Sequence, residues 1–569
     1  PHFRLPIRRK KPFHLPQFMS EENDSLAQEK ELLTSVENAS VSKKISTYSK
    51  LSGPGWLQGA ITLGGGSLAG SLYLGVIGGT QLLWLQPLMM IFGVLMLSVI
   101  GYVTLSTGKS PFQAINQHIN PVLGWGWLIA AMLANLVWAM PQFSLGTAAL
   151  QQNLGVFNGE NGNYLCAALL FAVATAVVWM YDSKGVKVFE IILKVLVGII
   201  VLSFFGVVVI MAGQLDWANI ARGFIPDFSM LSHPAEKFRV VIAQSSDPQY
   251  WNNIIISLQR DKMVTAAATA VGINMTFLLP YSMLRKGWGK EHRGLASFDL
   301  GMGLFIPFFL ATTCVVIASA NQFHGKYDEG LLDTTQATPL TAKLQGAYDK
   351  NLAGIKTHLG VLESPNHQDR QLAAMLVSRD AFQLAGSLEK LTGSKAVSQT
   401  VFGIGVLGMA VSTIIILMLI NGFCLTEAMG AKMSGGVHRT GALLPGITGA
   451  LGFLFLWGNS EAKFLLAVPT SIFGMVLLPI AYFTFFCMIN SKELMGDALP
   501  KGGKRVALNL AMGLALLAAS IGAAWSIWSK IQWIGVGVVG AFILLVWFGH
   551  GYRKLNQKLD RIESKLSDK

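Results

Sequence analysis

The sequence predicts an all-α polytopic membrane protein, a bundle of about twelve transmembrane helices. Three observations predict it. Hydrophobic residues make up 52% of the 569 and charged residues only 13%, about half the charge that an average soluble domain uses to cover its surface. Apolar stretches long enough to cross about 30 Å of hydrocarbon recur along the chain. Basic residues gather in alternate connections between those stretches, the asymmetry that orients membrane helices. The 60 glycines agree, because small residues let membrane helices approach closely.

Residues 1–50 are polar and basic, opening with Arg8-Arg9-Lys10-Lys11. They read as a cytoplasmic tail with room for one amphipathic turn, and no cleavable signal peptide is expected before the first span. Apolar segments then fall near 54–78, 82–106, 123–150, 164–181, 188–212, 263–284, 296–320, 400–428, 441–457, 463–489, 506–527 and 531–549. Spans one to seven occupy 51–320, with an outer insertion at 213–262, and spans eight to twelve occupy 399–550. A second extracytoplasmic insertion covers 321–398 and carries short helices such as Arg370–Lys390, while 551–569 forms a cytoplasmic C-terminal tail. The C-terminal apolar spacing of Leu555, Leu559, Ile562 and Leu566 fits the last helix running on, or a short coiled-coil contact. With the N-terminus inside, the short inner loops hold thirteen Lys and Arg from Lys109 to Arg505, against Lys463 and Lys530 outside. Both termini are therefore expected in the cytoplasm, with the protein integral to a membrane of the bacterial inner type.

Several classes are excluded. The net charge of +13 sits in loops and termini rather than in a nucleic-acid-binding stripe, so membrane lipid is the expected macroscopic partner. Cys166, Cys314, Cys424 and Cys487 lie in apolar stretches without metal-ligand spacing. No Walker loop, paired catalytic acids or HExxH motif is present, so neither an enzyme nor a resident cofactor is expected.

The first span reads Ala60-Ile61-Thr62-Leu63-Gly64-Gly65-Gly66-Ser67. Three consecutive glycines, each up to about 1 kcal/mol worse than alanine in a helix, favour unwinding in mid-membrane. A packing face of small residues is the alternative. The sixth span repeats the theme with Gly272, Ile273, Asn274, Thr276 and Pro280. Proline removes a helix donor, and asparagine in hydrocarbon needs a partner or water. Interrupted spans five apart suit two inverted five-helix repeats, with a substrate site at their interface near the midplane.

At this point the residues carry a family resemblance. Gly53-Pro54-Gly55-Trp56 through Gln81-Leu82-Leu83-Trp84 to Thr107-Gly108-Lys109 resembles the first two spans of the Nramp family of proton-coupled divalent-metal transporters. Gly185-Val186-Lys187, Gly422 to Gly430, Arg439 to Pro445, and Leu478-Pro479 through Gly496-Asp497 resemble later parts of it. The resemblance implies a LeuT-like fold for the membrane portion and leaves out the tail and the two outer insertions.

The departures bear on function. The family's Asp-Pro-Gly-Asn motif falls on Gly64, Gly65, Gly66 and Ser67. Its sixth-span alanine, methionine and histidine fall on Ile273, Thr276 and Leu278, and a tenth-span glutamine falls on Ser471. The third-span acids become Ala131, Trp138 and Pro141 or Gln142. A transition-metal site built from carboxylate, thioether and imidazole is thereby lost at these positions. The candidate substrate ligands become Gly64, Gly65, Gly66, Ser67, Ile273, Asn274, Thr276, Ser471 and Gln142, with no metal ligand assigned. Such neutral groups suit a metal or other ion that keeps its waters. The N-terminus of the second half-helix suits a small carboxylate-bearing solute such as an amino acid. A non-transporting sensor or scaffold is the third possibility.

Overall fold

The computed structural model describes residues 21–567 apart from 37, 182–184, 361–363, 380–382, 387–393 and 458–473. Two helices, α1 (Glu21–Ser35) and α2 (Val41–Leu51), precede the bundle. Most of the described part of the tail, from residue 21 on, is thus regular structure packed at one end of the molecule: Tyr48 of α2 meets Phe298 edge-on at 5.5 Å, and Glu29 of α1 lies 3.7 Å from His292.

Among the described residues nine helices are long and apolar enough to cross a membrane, or as many as eleven when two bent pairs each count as a span. The first pair is α3 (Pro54–Thr62) and α4 (Gly65–Gly78). Unbroken helices follow: α5 (Leu85–Thr107), α6 (Pro121–Ala148), α7 (Gly162–Tyr181) and α8 (Val186–Met211). The sixth span is α9 (Pro248–Ala268) with α10 (Ile273–Arg285), and the seventh is α11 (Arg293–Leu300) running through a π-type turn into α12 (Ile306–Phe323). Beyond the outer segment come α13 (Pro339–Leu359) and α14 (His367–Met375), then α15 (Lys395–Ala428), α16 (Gly436–Gly452), α17 (Leu478–Asn490) and α18 (Gly502–Ser567).

Local chemistry sets the starts. Proline occupies the first turn of α3, α6, α9 and α13, where its missing N–H is no loss. Asn120 accepts from Val122 N at 2.8 Å ahead of α6, and Asp247 accepts from Gln249 N and Tyr250 N at 2.9 Å ahead of α9. The Tyr250 N–H and then the His358 ring at 2.8 Å hold the Asp247 carboxyl below its ordinary range.

α18 holds two passes. Its apolar part, Gly502–Gly551, has 50 residues, far more than about 20 that cross hydrocarbon once, and Gln532 at φ 45° breaks it. Arg505 bonds Asn490 at one end of the bundle (3.0 Å), Lys530 pairs with Asp261 at the other (2.7 Å), and Val546 O accepts from Asn120 back at the first end (2.7 Å). The hairpin accounts for spans eleven and twelve.

The two ends differ. At the basic end Arg285 donates to the carbonyls of Tyr181 and Met433, and Ser110 bonds Glu427 at 2.6 Å. At the other end residues 212–247, 323–360 and 364–379 form a cap, closed where Asp369, fully buried, accepts from Trp251 Nε1 at 2.8 Å and Ser246 N at 3.2 Å. In the outer segment expected at 213–262, Pro248 already begins α9, so its last part is helix continuous with the sixth span. That half-helix is amphipathic enough, with Asn252, Asn253, Gln259, Arg260 and Asp261, to resemble a loop in hydropathy alone.

The foot of α3 is clamped. Asp299 at the end of α11 is buried, and its Oδ2 accepts from Gly53 N at 3.1 Å and Gly55 N at 2.7 Å. Lys194 of α8 donates to Ser52 O at 2.7 Å, and Lys286 pairs with Glu190 at 3.0 Å beside Gly53. Removing the carboxylate strands two donors out of water, at about 1–3 kcal/mol each. Asp299→Ala should lower the unfolding temperature of the purified protein, and Asp299→Asn, which keeps one acceptor, should lower it less. Equal stability of Asp299→Ala and the parent would show that the clamp carries no weight.

Candidate transport site at the paired breaks

Span one breaks where the glycines predicted. The ladder of α3 ends with Leu63 N donating to Gly59 O at 3.0 Å, and α4 resumes with Leu68 N to Gly64 O at 3.1 Å. Between them Gly64 is extended (φ −108°, ψ −176°), and the halves meet at 54°. Gly65 N turns aside to Gln142 Oε1 of α6 at 3.0 Å. A Cβ on Gly64 would collide with Thr413 Oγ1, and one on Gly65 would sit 2.9 Å from Leu145, whereas one on Gly66 would rest 3.5 Å from Thr269 Cγ2, an ordinary contact. The packing alternative is also correct, at other positions: Gly59 abuts the Gly303 backbone and Gly75 abuts Ser319 and Val316.

The break in span six falls at the start of the stretch the sequence singled out, Gly272 to Pro280. It lies at Thr269–Gly272, and α10 runs unbroken from Ile273 through Pro280. The reason is local capping. Asn274 Oδ1 accepts from Met275 N at 2.9 Å and Met275 Sδ accepts from Gly272 N at 3.4 Å, so the first turn of α10 closes on side chains.

The two breaks face each other. Ser67 Oγ, buried, lies 2.5 Å from Thr62 O and 3.3 Å from Thr269 O, a carbonyl from each interruption. Ser71 Oγ donates to Gln86 Oε1 at 2.9 Å, and Gln86 Nε2 reaches Thr269 Oγ1 at 3.5 Å. On the other side Thr62 Oγ1 contacts Met275 Sδ at 3.1 Å and Gln58 Nε2 donates to Met275 O at 3.3 Å.

Of the nominated residues, Gly64, Gly65, Ser67 and Gln142 meet at the first break, with Gly66 on its open side. Ile273 and Asn274 start α10, where Asn274 Nδ2 donates to Asn135 Oδ1 at 2.9 Å. Thr276 does not face the gap: it accepts from Trp127 Nε1 at 2.8 Å and donates to Ile273 O at 2.5 Å, beneath the Trp127–Phe277 ring pair. Ser471 lies outside the described residues.

Sequence reasoning missed Thr62, Thr269, Gln86 and above all Met275. The resemblance assigned a methionine position to Thr276, and the residue one place before it supplies a thioether to the junction. The available signal was Met275 itself, next to Thr276 in the sequence. The junction therefore offers neutral oxygens and one sulfur. Among the described residues no group of three His, Cys, Asp or Glu is placed to hold a metal. The buried carboxylate of Asp299 serves the foot of α3, and Glu427 serves the basic end. Lys262 of α9 lies over the Tyr73 ring of α4 at 4.1 Å, between the outer halves of the two broken spans.

The natural resistance-associated macrophage protein-like (Nramp) family model matches residues 55–364 and 371–529. The chain belongs to the Nramp family. The divalent metal cation transporter MntH of Brucella suis is 27% identical over 186 residues, which is 32% of this chain and 38% of that protein. The match therefore spans well under half the length of that relative. Crystal structures of the Eremococcus coleocola manganese transporter share the fold. A point mutant of that transporter, with a histidine replaced by alanine, superposes with a TM-score of 0.62 at 14% identity over 90% of this chain and 95% of that one. The same transporter bound to an aromatic bis-isothiourea compound gives 0.57 at 14% identity over 91% and 96%. The LeuT-like fold expected from the resemblance is the fold of this Nramp protein, and the broken first and sixth spans are its most distinctive local feature.

The break makes a stability prediction. A methyl at Gly64 must displace Thr413, an overpacking cost of about 1–3 kcal/mol, while one at Gly66 meets Thr269 Cγ2 at an ordinary contact distance of 3.5 Å. Gly64→Ala should lower the unfolding temperature in detergent and Gly66→Ala should leave it unchanged. The reverse order would contradict the geometry of the break.

Proposed function

We propose that this Nramp protein is a secondary transporter that carries a metal or other ion by alternating access, using a substituted site at its paired breaks. The observation that carries this reading is the Ser67 hydroxyl held between Thr62 O and Thr269 O. One side chain thereby joins the loose ends of both interrupted spans, where a transporter of this architecture binds its cargo. The ligands are Ser67, the Thr62 and Thr269 carbonyls, Gln142 and the Met275 thioether. They carry no formal charge, so an ion enters keeping part of its water shell rather than stripped.

Lys262 and the N-terminus of α4 favour a second reading, a small solute bearing a carboxylate. Uptake by proteoliposomes across manganese, magnesium and amino acids, with and without a pH gradient, separates the two. No uptake of any of them would end both and leave a sensor or scaffold.

Two measurements follow. Without carboxylate at the junction, manganese should bind no tighter than millimolar, which is only about 4 kcal/mol. Titration calorimetry giving micromolar manganese, abolished by Ser67→Ala, would restore an ordinary high-affinity metal site. The Lys/Arg asymmetry supports an orientation with the basic end and both termini in the cytoplasm and the cap outside. The four native cysteines are buried or half-buried, so a cysteine at exposed position 350 (Lys350→Cys) should label from outside intact cells. Labelling only after permeabilisation would invert the topology.

A further inference from the structure

α18 does not stop where the hydrocarbon does. Its second pass begins after the break at Gln532 and the helix is continuous from there to Ser567. About 20 residues cross the membrane, so the helix from about residue 553 onward stands beyond it. Over 552–567 the only large apolar or aromatic residues are Tyr552, Leu555, Leu559, Ile562 and Leu566. All five fall on one heptad frame, with Tyr552, Leu559 and Leu566 at a and Leu555 and Ile562 at d. Counted back into the membrane, the same frame puts Leu545 at a and Ala541 and Phe548 at d. The a and d positions are thus apolar or aromatic over nearly four heptads, long enough to specify a coiled coil.

The frame leaves its seam free of the bundle. Val546 O accepts from Asn120 at 2.7 Å, and a Cβ on Gly549 would lie 2.8 Å from Val122, so those positions face the chain's own helices. Leu545 and Phe548 of the seam are turned aside, 56% and 63% exposed. Lipid covers such residues in the membrane, but beyond it the seam meets water. A helix lying along the membrane surface would show a broader apolar face than two positions in seven, and would have to bend away from span twelve.

Charge selects the partner. Lys558 takes position g and Glu563 the following e. In a parallel pair g of one strand neighbours the next e of the other, so Lys558 meets Glu563 on both sides of the seam. In an antiparallel pair g meets g, and both g positions of this stretch, Lys558 and Lys565, carry the same charge. Copies inserted the same way leave the membrane on the same side, and parallel is the orientation open to them.

We propose that the end of α18 joins copies of this chain through a parallel coiled coil, with Tyr552, Leu555, Leu559, Ile562 and Leu566 as its seam and Lys558–Glu563 pairs at its edges. Insertion supplies what so short a coil lacks in water, because it holds the strands at one depth and in one direction and so raises their effective concentration. The assembly does not depend on what the paired breaks carry.

The test uses the full chain. In membranes, Leu555→Cys at d should form disulfide-linked copies under copper–phenanthroline, and Gln557→Cys at f should not. In mild detergent, light scattering should give the parent a mass of more than one copy. Leu559→Asp should give the mass of one copy at an unchanged unfolding temperature. Lys558→Glu should raise the concentration for half-assembly about fivefold, the loss of two exposed pairs, and Lys558→Glu with Glu563→Lys should restore it. A single-copy parent without crosslinks, equal crosslinking at 555 and 557, or assembly indifferent to Leu559→Asp would overturn the coil. Failure of the double reversal to restore assembly would overturn its parallel pairing.

Discussion

A backbone group released inside the membrane has no water to bond and must find its partner in the protein. The chain releases such groups twice, at Leu63–Gly64 and at Thr269–Gly272, and much of the polar chemistry in its interior exists to receive them. Gln142 takes the Gly65 N–H, Ser412 takes the Ala60 carbonyl, and Ser67 takes the Thr62 and Thr269 carbonyls together. Met275 takes the Gly272 N–H with its sulfur. These partners come from four helices, α4, α6, α10 and α15. The breaks therefore hold α3, α4, α6, α9, α10 and α15 in one arrangement, and the apolar packing around them fills the remaining space.

The same constraint explains which residues tolerate no side chain. At Gly64 the neighbour is a hydroxyl, at Gly59 and Gly75 it is another helix's backbone, and at Gly66 it is the Thr269 methyl at ordinary contact distance. Small residues close together in sequence do three different jobs because the helix changes direction among them. A glycine triplet in a membrane span thus reads as a break when polar side chains converge on it. Where only backbone converges, it reads as a packing face.

Much of this was legible in the sequence, for reasons that can be traced. Hydropathy and basic loops gave the spans because apolar length and Lys/Arg placement are properties of the segment itself. The break in span one was legible because three glycines weaken a helix wherever they stand. The break in span six sits at the start of its stretch because its cause is not composition. Pro280 looks like the weak point, yet the interruption is fixed by Asn274 and Met275 capping α10 from its own first turn. Thr276 was misjudged for a related reason: a hydroxyl on a helix can face the gap or a neighbouring tryptophan, and only the packing of α6 on α10 chooses Trp127. The start of α9 was hidden by its polar surface, which one-dimensional hydropathy reads as loop.

α3 is the element on which any alternation between two states must act. It is a short half-helix of nine residues, held at its foot by Asp299 and at its head by Ser67, Ser412 and the contact of Thr62 with Met275. Were its foot to leave Asp299, the Gly53 and Gly55 donors would be exposed together with a buried carboxylate. Such a change occurs only if another interaction offsets it in the open state, since a ligand shifts two states no further than its differential affinity for them. The charged side chains poised beside the foot, Lys194, Lys286 and Glu190, are the groups placed to take up the released partners. At the head the bonds join α3 to both its own second half and α10. A ligand seated there pulls on the foot through nine residues of rigid helix, and the distance between the two events is one half-span.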